Sequence, residues 1–289
     1  MPSPSTWLDA VRNFNVKCGH SAALGALKGS TWSAFSSGSQ FFNFKGFYSV
    51  VLLALVDANY KCLLYDLGAA GSSSDAGVFL DSKMKTFLEE HENDFPEPVQ
   101  LANFGKVPCH FIVDQGFRQT SRFIRPFSDA EAVGSSRAAH FNLIHCRARR
   151  VVENYFGILA NRFRLLLRPI YAQPDNVKSI TLSIMILHNL LIERIGAHGV
   201  VDRYGITEVS QGGSFGGPSG SVSNESKEIR ERMVKYFCWR DGVRGKLAVL
   251  SLVVSVWYAF PCAGNVCAVD KLFLCGKVSA EGCSRTKES

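Results

Sequence analysis

The chain has 289 residues, 46% of them hydrophobic and 20% charged, a balance that excludes a disordered or fibrous protein and suffices for one core of about 150 to 200 residues with extensions. Lys and Arg total 32 against 25 Asp and Glu, so the net charge of +7 suits an anionic partner. Nine cysteines occur without a Cys-x-x-Cys pair or a signal-peptide-like opening, and they read as reduced thiols of a nuclear or cytosolic protein.

Residues 1–36 show little periodicity and read as a degenerate, irregular leader that runs into Ser36, Ser37, Gly38 and Ser39. Residues 37–196 form the patterned domain. Strands are expected at 47–56 and 60–67, with Asp57, Ala58 and Asn59 supplying the hairpin turn. The run Gly71-Ser72-Ser73-Ser74-Asp75 is a helix start signal, and the pattern behind it predicts one amphipathic helix to about His91. Beyond a loop containing Pro96, Pro98 and Pro108, residues 109–113 predict a short buried strand ending on Asp114.

A helix over about 142–165 places Val152, Tyr155, Phe156 and Leu159 on one face. The next, over about 176–195, is apolar on most sides and is expected to be buried. Residues 197–226 read as a Gly/Ser-rich linker, and 227–289 as a short helix (SKEIRERMVKYF) followed by an apolar, poorly ordered extension. Its uncharged stretch 247–269 is long enough to span a bilayer. Pro261, Gly264 and Asn265 interrupt it and β-branched residues fill its first half, which favours a strand-like or frameshifted tail over a membrane anchor.

Acids at strand ends and helix starts, in the order strand, strand, helix, strand, helix, are what phosphodiester chemistry with two cations requires. One cation activates the attacking oxygen and the other stabilises the leaving oxygen, so carboxylates must converge from separate elements on Mg²⁺ or Mn²⁺. Asp75, Asp114 and Glu153 are the candidates. Each also has an ordinary structural role open to it: a helix N-cap for Asp75, an Asx turn for Asp114, and an i,i+4 ion pair with Arg149 for Glu153. Seven arginines and a single acid, Glu153, lie between Arg137 and Arg168, a cationic stretch suited to phosphates. His188, within an apolar helix, reads as a hydrogen-bonded core histidine, and His110 is given no role.

Three blocks resemble a known family: SGSQFFNFKGFYSVVLLALVDA (37–58), GSSSDAGVF (71–79) and RARRVVENYFGILANRFR (147–164), with Ile-Leu-His-Asn-Leu-Leu further on. Together they resemble the DDE superfamily endonuclease domain of Harbinger-type transposases, over about 37–194 and weakly again over 227–237. The resemblance implies an RNase H-like α/β fold, a mixed sheet flanked by helices, and a nuclease that cuts DNA with divalent metal. It assigns Asp75, Asp114 and Glu153 to catalysis and metal binding. Arg147, Arg149, Arg150 and Arg162 are then assigned to DNA.

The chain departs from the family at two places. The family's opening strand reads Gly-Ala-hydrophobic-Asp-Gly with a metal-binding Asp, and here the segment is Gly25-Ala26-Leu27-Lys28-Gly29. Around the second Asp the family favours Gly-Asp-Asp-Ala-Phe, and here stands Val113-Asp114-Gln115-Gly116-Phe117. The lysine puts a positive charge where a metal ligand belongs. Asp57 or Asp9 is the substitute a working nuclease would need. The readings are a metal-dependent DNA endonuclease impaired by Lys28, or a catalytically dead DNA-binding or interaction relic. A divergent or truncated copy of this kind, with no helix-turn-helix region of its own expected in residues 1–30, implies a separate DNA-recognition partner and a nuclear location.

Overall fold

The computed structural model describes residues 1–33, 49–70, 73–205 and 222–243. Its centre is β1 (Ala23–Ser33), flanked by β2 (Ser49–Val56) and then β3 (Cys62–Ala70) on one side. On the other side, past the small hairpin β4 (Val99–Gln100) and β5 (Lys106–Val107), come β6 (His110–Ile112) and β7 (Phe123–Ile124). The order is β3-β2-β1-β6-β7, antiparallel across the first three strands and parallel from β1 to β7. This is the expected RNase H-like mixed sheet.

The sequence of β2 explains why it sits inside: all eight residues of SVVLLALV are buried, as a strand covered on both faces requires. Val51, Leu53 and Leu55 enter one core with Phe79, Phe111, Phe141 and Phe237. Val50, Leu52, Ala54 and Val56 enter the opposite one with Val152, Tyr155, Leu159 and Met185. The β2–β3 turn is held by Asp57, whose Oδ1 accepts from the Asn59 and Lys61 amides, each at 2.8 Å.

Helices cover both faces: α1 (Pro4–Cys18), α2 (Asp75–Leu80), α3 (Lys83–Glu90), α4 (Asp129–Val133), α5 (Ser136–Arg162), α6 (Pro174–Tyr204) and α7 (Asn224–Arg240). The expected irregular leader is corrected. Residues 4–33 supply a capped helix and the central strand of the sheet. Trp7 of α1 is fully buried, its ring edge-on to Phe95 at 5.3 Å and Phe111 at 6.1 Å, while Phe14 fills the other core. Their spacing of seven residues, with Ala10 between, is a helical stripe of few members, and neighbouring polar residues hid it.

The single helix expected to reach His91 is two helices, because Ser82 turns the chain. Its Oγ donates to the Phe79 carbonyl at 2.7 Å and accepts from the Lys85 amide at 3.1 Å, ending α2 and capping α3. α5 starts earlier than expected, behind the N-cap Ser135. The burial expected for the next helix is also corrected: α6 packs by one face only. Val177, Ile184, Met185 and His188 are buried, but Ile186, Leu187 and Leu190 are each about half exposed. α6 lies over β3 and α5 at the margin of the sheet, so its outer face has no layer above it among the described residues.

α6 is also the one described helix long and apolar enough to cross a membrane, with a mean hydropathy of 1.4. α7 returns to the first core through Ile229, Met233 and Phe237. It is pinned at its end by Arg240, which donates to the Gly19 carbonyl at 2.6 Å. Most of the proposed linker, 206–221, and the apolar stretch 247–269 lie outside the described residues.

Candidate functional site

The site forms at the C-terminal end of β6 and the middle of β1. The parallel pairing of Ala26 with Ile112 sets the register, and two residues further along the chain come Lys28, within β1, and Asp114, just past the end of β6. Alternation along β1 gives Lys28 the face of Ala26, the one covered by α5. There its Nζ lies 3.3 Å from Glu153 Oε1, and the Arg149 guanidinium reaches the same carboxylate oxygen at 2.7 Å from one helical turn away. Both ends of the Lys28–Glu153 pair are largely covered, with side chains 21% and 17% exposed.

Asp75 arrives from the start of α2. It is not the N-cap; Ser74 is, accepting from the Gly77 amide at 3.1 Å. That frees the Asp75 carboxylate to turn to the sheet, where Oδ2 accepts from the Gly29 amide at 2.8 Å. The approach is close enough that a Cβ on Gly29 would stand 2.3 Å from Asp75 Oδ1. Burial pushes the Asp75 carboxyl up from its ordinary value and the charge of Asp114 adds to this, while the Gly29 hydrogen bond, Lys28 and Arg149 oppose it.

Asp114 makes the Asx turn that its context allows, Oδ1 accepting from the Gly116 amide at 2.9 Å. All three carboxylates therefore carry structural hydrogen bonds or ion pairs, and the charges of Asp114, Lys28 and Arg149 all reach Asp75. The two possible substitutes do not join them. Asp57 is committed to the hairpin turn, and Asp9 is exposed on α1 beside Arg12 at 3.1 Å.

The four arginines separate. Arg149 belongs to the acid cluster and Arg150 is half-buried nearby on α5, whereas Arg147 is exposed on the side facing Cys18. Arg162 stands nine residues beyond Glu153, roughly 14 Å along the helix, with its guanidinium over the rings of Phe163 and Tyr204 at 5.1 and 4.9 Å. His188 is the core histidine expected, its Nε2 2.7 Å from the Tyr60 carbonyl and its ring edge-on to Tyr155. Sequence reasoning missed Gly29 as the residue that holds Asp75, and also the Ser74 cap. The signal was a serine directly before the helical pattern, an N-cap residue type one place ahead of the acid.

The donor set does not fit a pair of divalent cations. Among the described residues, no group of three or more His, Cys, Asp or Glu side chains is placed to hold a metal ion. Lys28 and Arg149 both occupy Glu153 Oε1, and backbone amides engage Asp75 and Asp114. At an effective dielectric of 20, a dication about 4 Å from the lysine charge would be repelled by about 8 kcal/mol.

The family model for the DDE superfamily endonuclease matches residues 30–189, more than half of the chain and a span that contains Asp75, Asp114 and Glu153. The match begins two residues past Lys28, so the place of Lys28 in the site rests on its structural neighbours. No curated protein and no solved structure gives a match. The extent of this match makes the chain a member of the DDE superfamily endonucleases.

Proposed function

We propose that the chain is a Harbinger-type transposase nuclease domain that engages DNA in the nucleus but has lost metal-dependent cleavage. The observation that carries this reading is the Lys28–Glu153–Arg149 cluster, in which a cation of the chain itself sits on the acid that a nuclease of this family would turn to metal. Asp75, Asp114 and Glu153 stand as the remaining catalytic and metal-binding acids, around a cofactor of Mg²⁺ or Mn²⁺ type that they do not fit as arranged. With two basic side chains among three carboxylates, the cleft carries far less negative charge than three acids alone would, and a phosphate backbone can approach it without added metal. Arg149 and Arg150 would face that backbone at the cleft, Arg147 would meet it only beyond the cleft, on the side facing Cys18, and a separate helix-turn-helix protein would supply sequence recognition. Arg162, stacked on two rings, is better explained by the packing of α5 on α6 than by DNA.

The test is duplex-DNA binding by fluorescence anisotropy over a salt series, beside nicking of supercoiled plasmid in Mg²⁺ and in Mn²⁺. Binding should be tolerant of sequence and should weaken steeply with salt, log K falling by about 0.9 per phosphate contacted for each tenfold rise. No nicking is expected. Absence of binding at low salt removes the DNA reading. Retention of all three acids favours the second reading, a working metal-dependent endonuclease, and nicking abolished by Asp114→Ala would establish it instead.

A further inference from the structure

We infer that Lys28 is a built-in replacement for the site metal: its ammonium, paired with Glu153 on the oxygen that Arg149 also holds, excludes divalent cations, and the single change Lys28→Asp turns the cleft into a divalent-metal site. This rests on reading the cleft as descended from a metal centre. It does not require that the chain binds DNA.

The geometry points this way from several directions. Lys28 comes from the central strand, and its side chain is mostly covered, so the space around its ammonium is largely filled by the protein itself. Glu153 meets it on one oxygen that also holds Arg149. Asp75 is locked to the same strand one residue later through the Gly29 amide, in a gap that only glycine leaves open. Asp114 stands two residues past Ile112, the partner of Ala26 in the neighbouring parallel strand. The charges of Asp114, Lys28 and Arg149 all reach Asp75, so the acids are near enough to repel one another, and a metalloenzyme relieves such repulsion with its cations. Here a covalently attached cation relieves it, so the architecture of the cleft holds without metal. Exchanging the ammonium for a fourth carboxylate removes the occupying charge and adds an oxygen ligand of the type that Mg²⁺ and Mn²⁺ take.

The experiment measures Mn²⁺ binding to the full chain by electron paramagnetic resonance and calorimetry, without DNA, for the wild type, Lys28→Asp, Lys28→Gln, and Lys28→Asp combined with Asp114→Ala. The wild type should show no saturable binding into the millimolar range, and its melting temperature should be the same in EDTA as in Mn²⁺. Lys28→Asp should bind about 100-fold or more tighter, with a melting temperature that rises with Mn²⁺, and Asp114→Ala should cancel the gain. Lys28→Gln removes the charge without adding a ligand and should give a smaller gain, about 10-fold. It decides the matter if Lys28→Asp fails to fold.

Saturable wild-type binding that Asp114→Ala abolishes overturns the inference, as does a cooperatively folded Lys28→Gln with no gain. Because no arm contains nucleic acid, failure here leaves the DNA reading standing, and failure to bind DNA leaves this result standing.

Discussion

Lys28 and Glu153, 125 residues apart in sequence, meet at 3.3 Å between the central strand and the longest helix that crosses it. The contact joins two elements and neutralises part of an acid cluster, so its loss should register in stability. Lys28→Met keeps the length and apolar stem of the side chain and removes the charge, leaving Arg149 alone among three carboxylates. A covered ion pair that loses one partner costs up to about 3–5 kcal/mol; with Arg149 still on the same oxygen, a loss of about 1–3 kcal/mol is expected at pH 7. Urea denaturation measures it. Stability unchanged from the wild type would mean that the pair contributes nothing net.

Gly29→Ala should act through Asp75. The added Cβ would lie 2.3 Å from Oδ1 and 2.7 Å from Cγ, so the carboxylate must leave its hydrogen bond to the strand. Overpacking of this kind costs about 1–3 kcal/mol. In the Asp75→Ala background the obstructing atoms are gone, and the same change should cost much less. A double-mutant cycle with a coupling energy near zero would show that Gly29 is needed for some other reason.

Much of the sheet was legible because β2 is an uninterrupted apolar run and its turn to β3 carries an Asp that caps it; both features are local. β1 was not legible as a strand. Ala23, Gly25, Gly29 and Ser30 are small and weak strand formers, chosen by what packs against them: Leu55 would stand 2.7 Å from a Cβ on Gly25, and Asp75 fills the place beside Gly29. The acids were picked out by their places at strand ends and helix starts, and Asp75 and Glu153 also by the family blocks that contain them, whereas Asp114 lies in none of those blocks. What no local pattern could give is that Lys28 and Arg149 converge on one oxygen of Glu153, since that follows from a strand and a helix crossing. The overestimate of burial for α6 has the converse cause: composition reports apolarity, and only the layer count reports whether a second face is covered.

Acid should destabilise the fold well before its carboxylates titrate. His20, His110 and His145 are all fully buried, with ring centroids 5.4 Å apart for His20–His110 and 5.8 Å for His20–His145. Burial lowers each below the ordinary histidine value, His110 to about 4 and His145 to about 3, with His20 well below it and pressed further by the other two. The unfolded chain binds these protons near pH 6.5 and the folded chain does not, so their contribution is complete above pH 6.5 and falls away as pH drops toward 4. Denaturation across pH 4–7 should show uptake of about two to three protons on unfolding, a slope of about 1.4 kcal/mol per pH unit for each. His20→Phe should flatten the slope by about one proton. A flat profile over that range would contradict the burial of the cluster.

The N-terminal helix offers the sharpest test of whether residues 4–18 belong to the fold. Trp7 is fully buried against Phe95 and Phe111, and its spacing from Phe14 sends one ring into each of the two cores. Trp7→Ala removes a large side chain from a packed interior and should cost about 3–5 kcal/mol. Leu8, about half exposed on the same helix, is the control: Leu8→Ala should change stability by less than about 1 kcal/mol. If both substitutions were equally mild, α1 would be an appendage resting on the sheet. A large difference between them, with cooperative unfolding retained in each, identifies α1 as the element that closes both cores beside the central strand and so fixes the strand that carries Lys28.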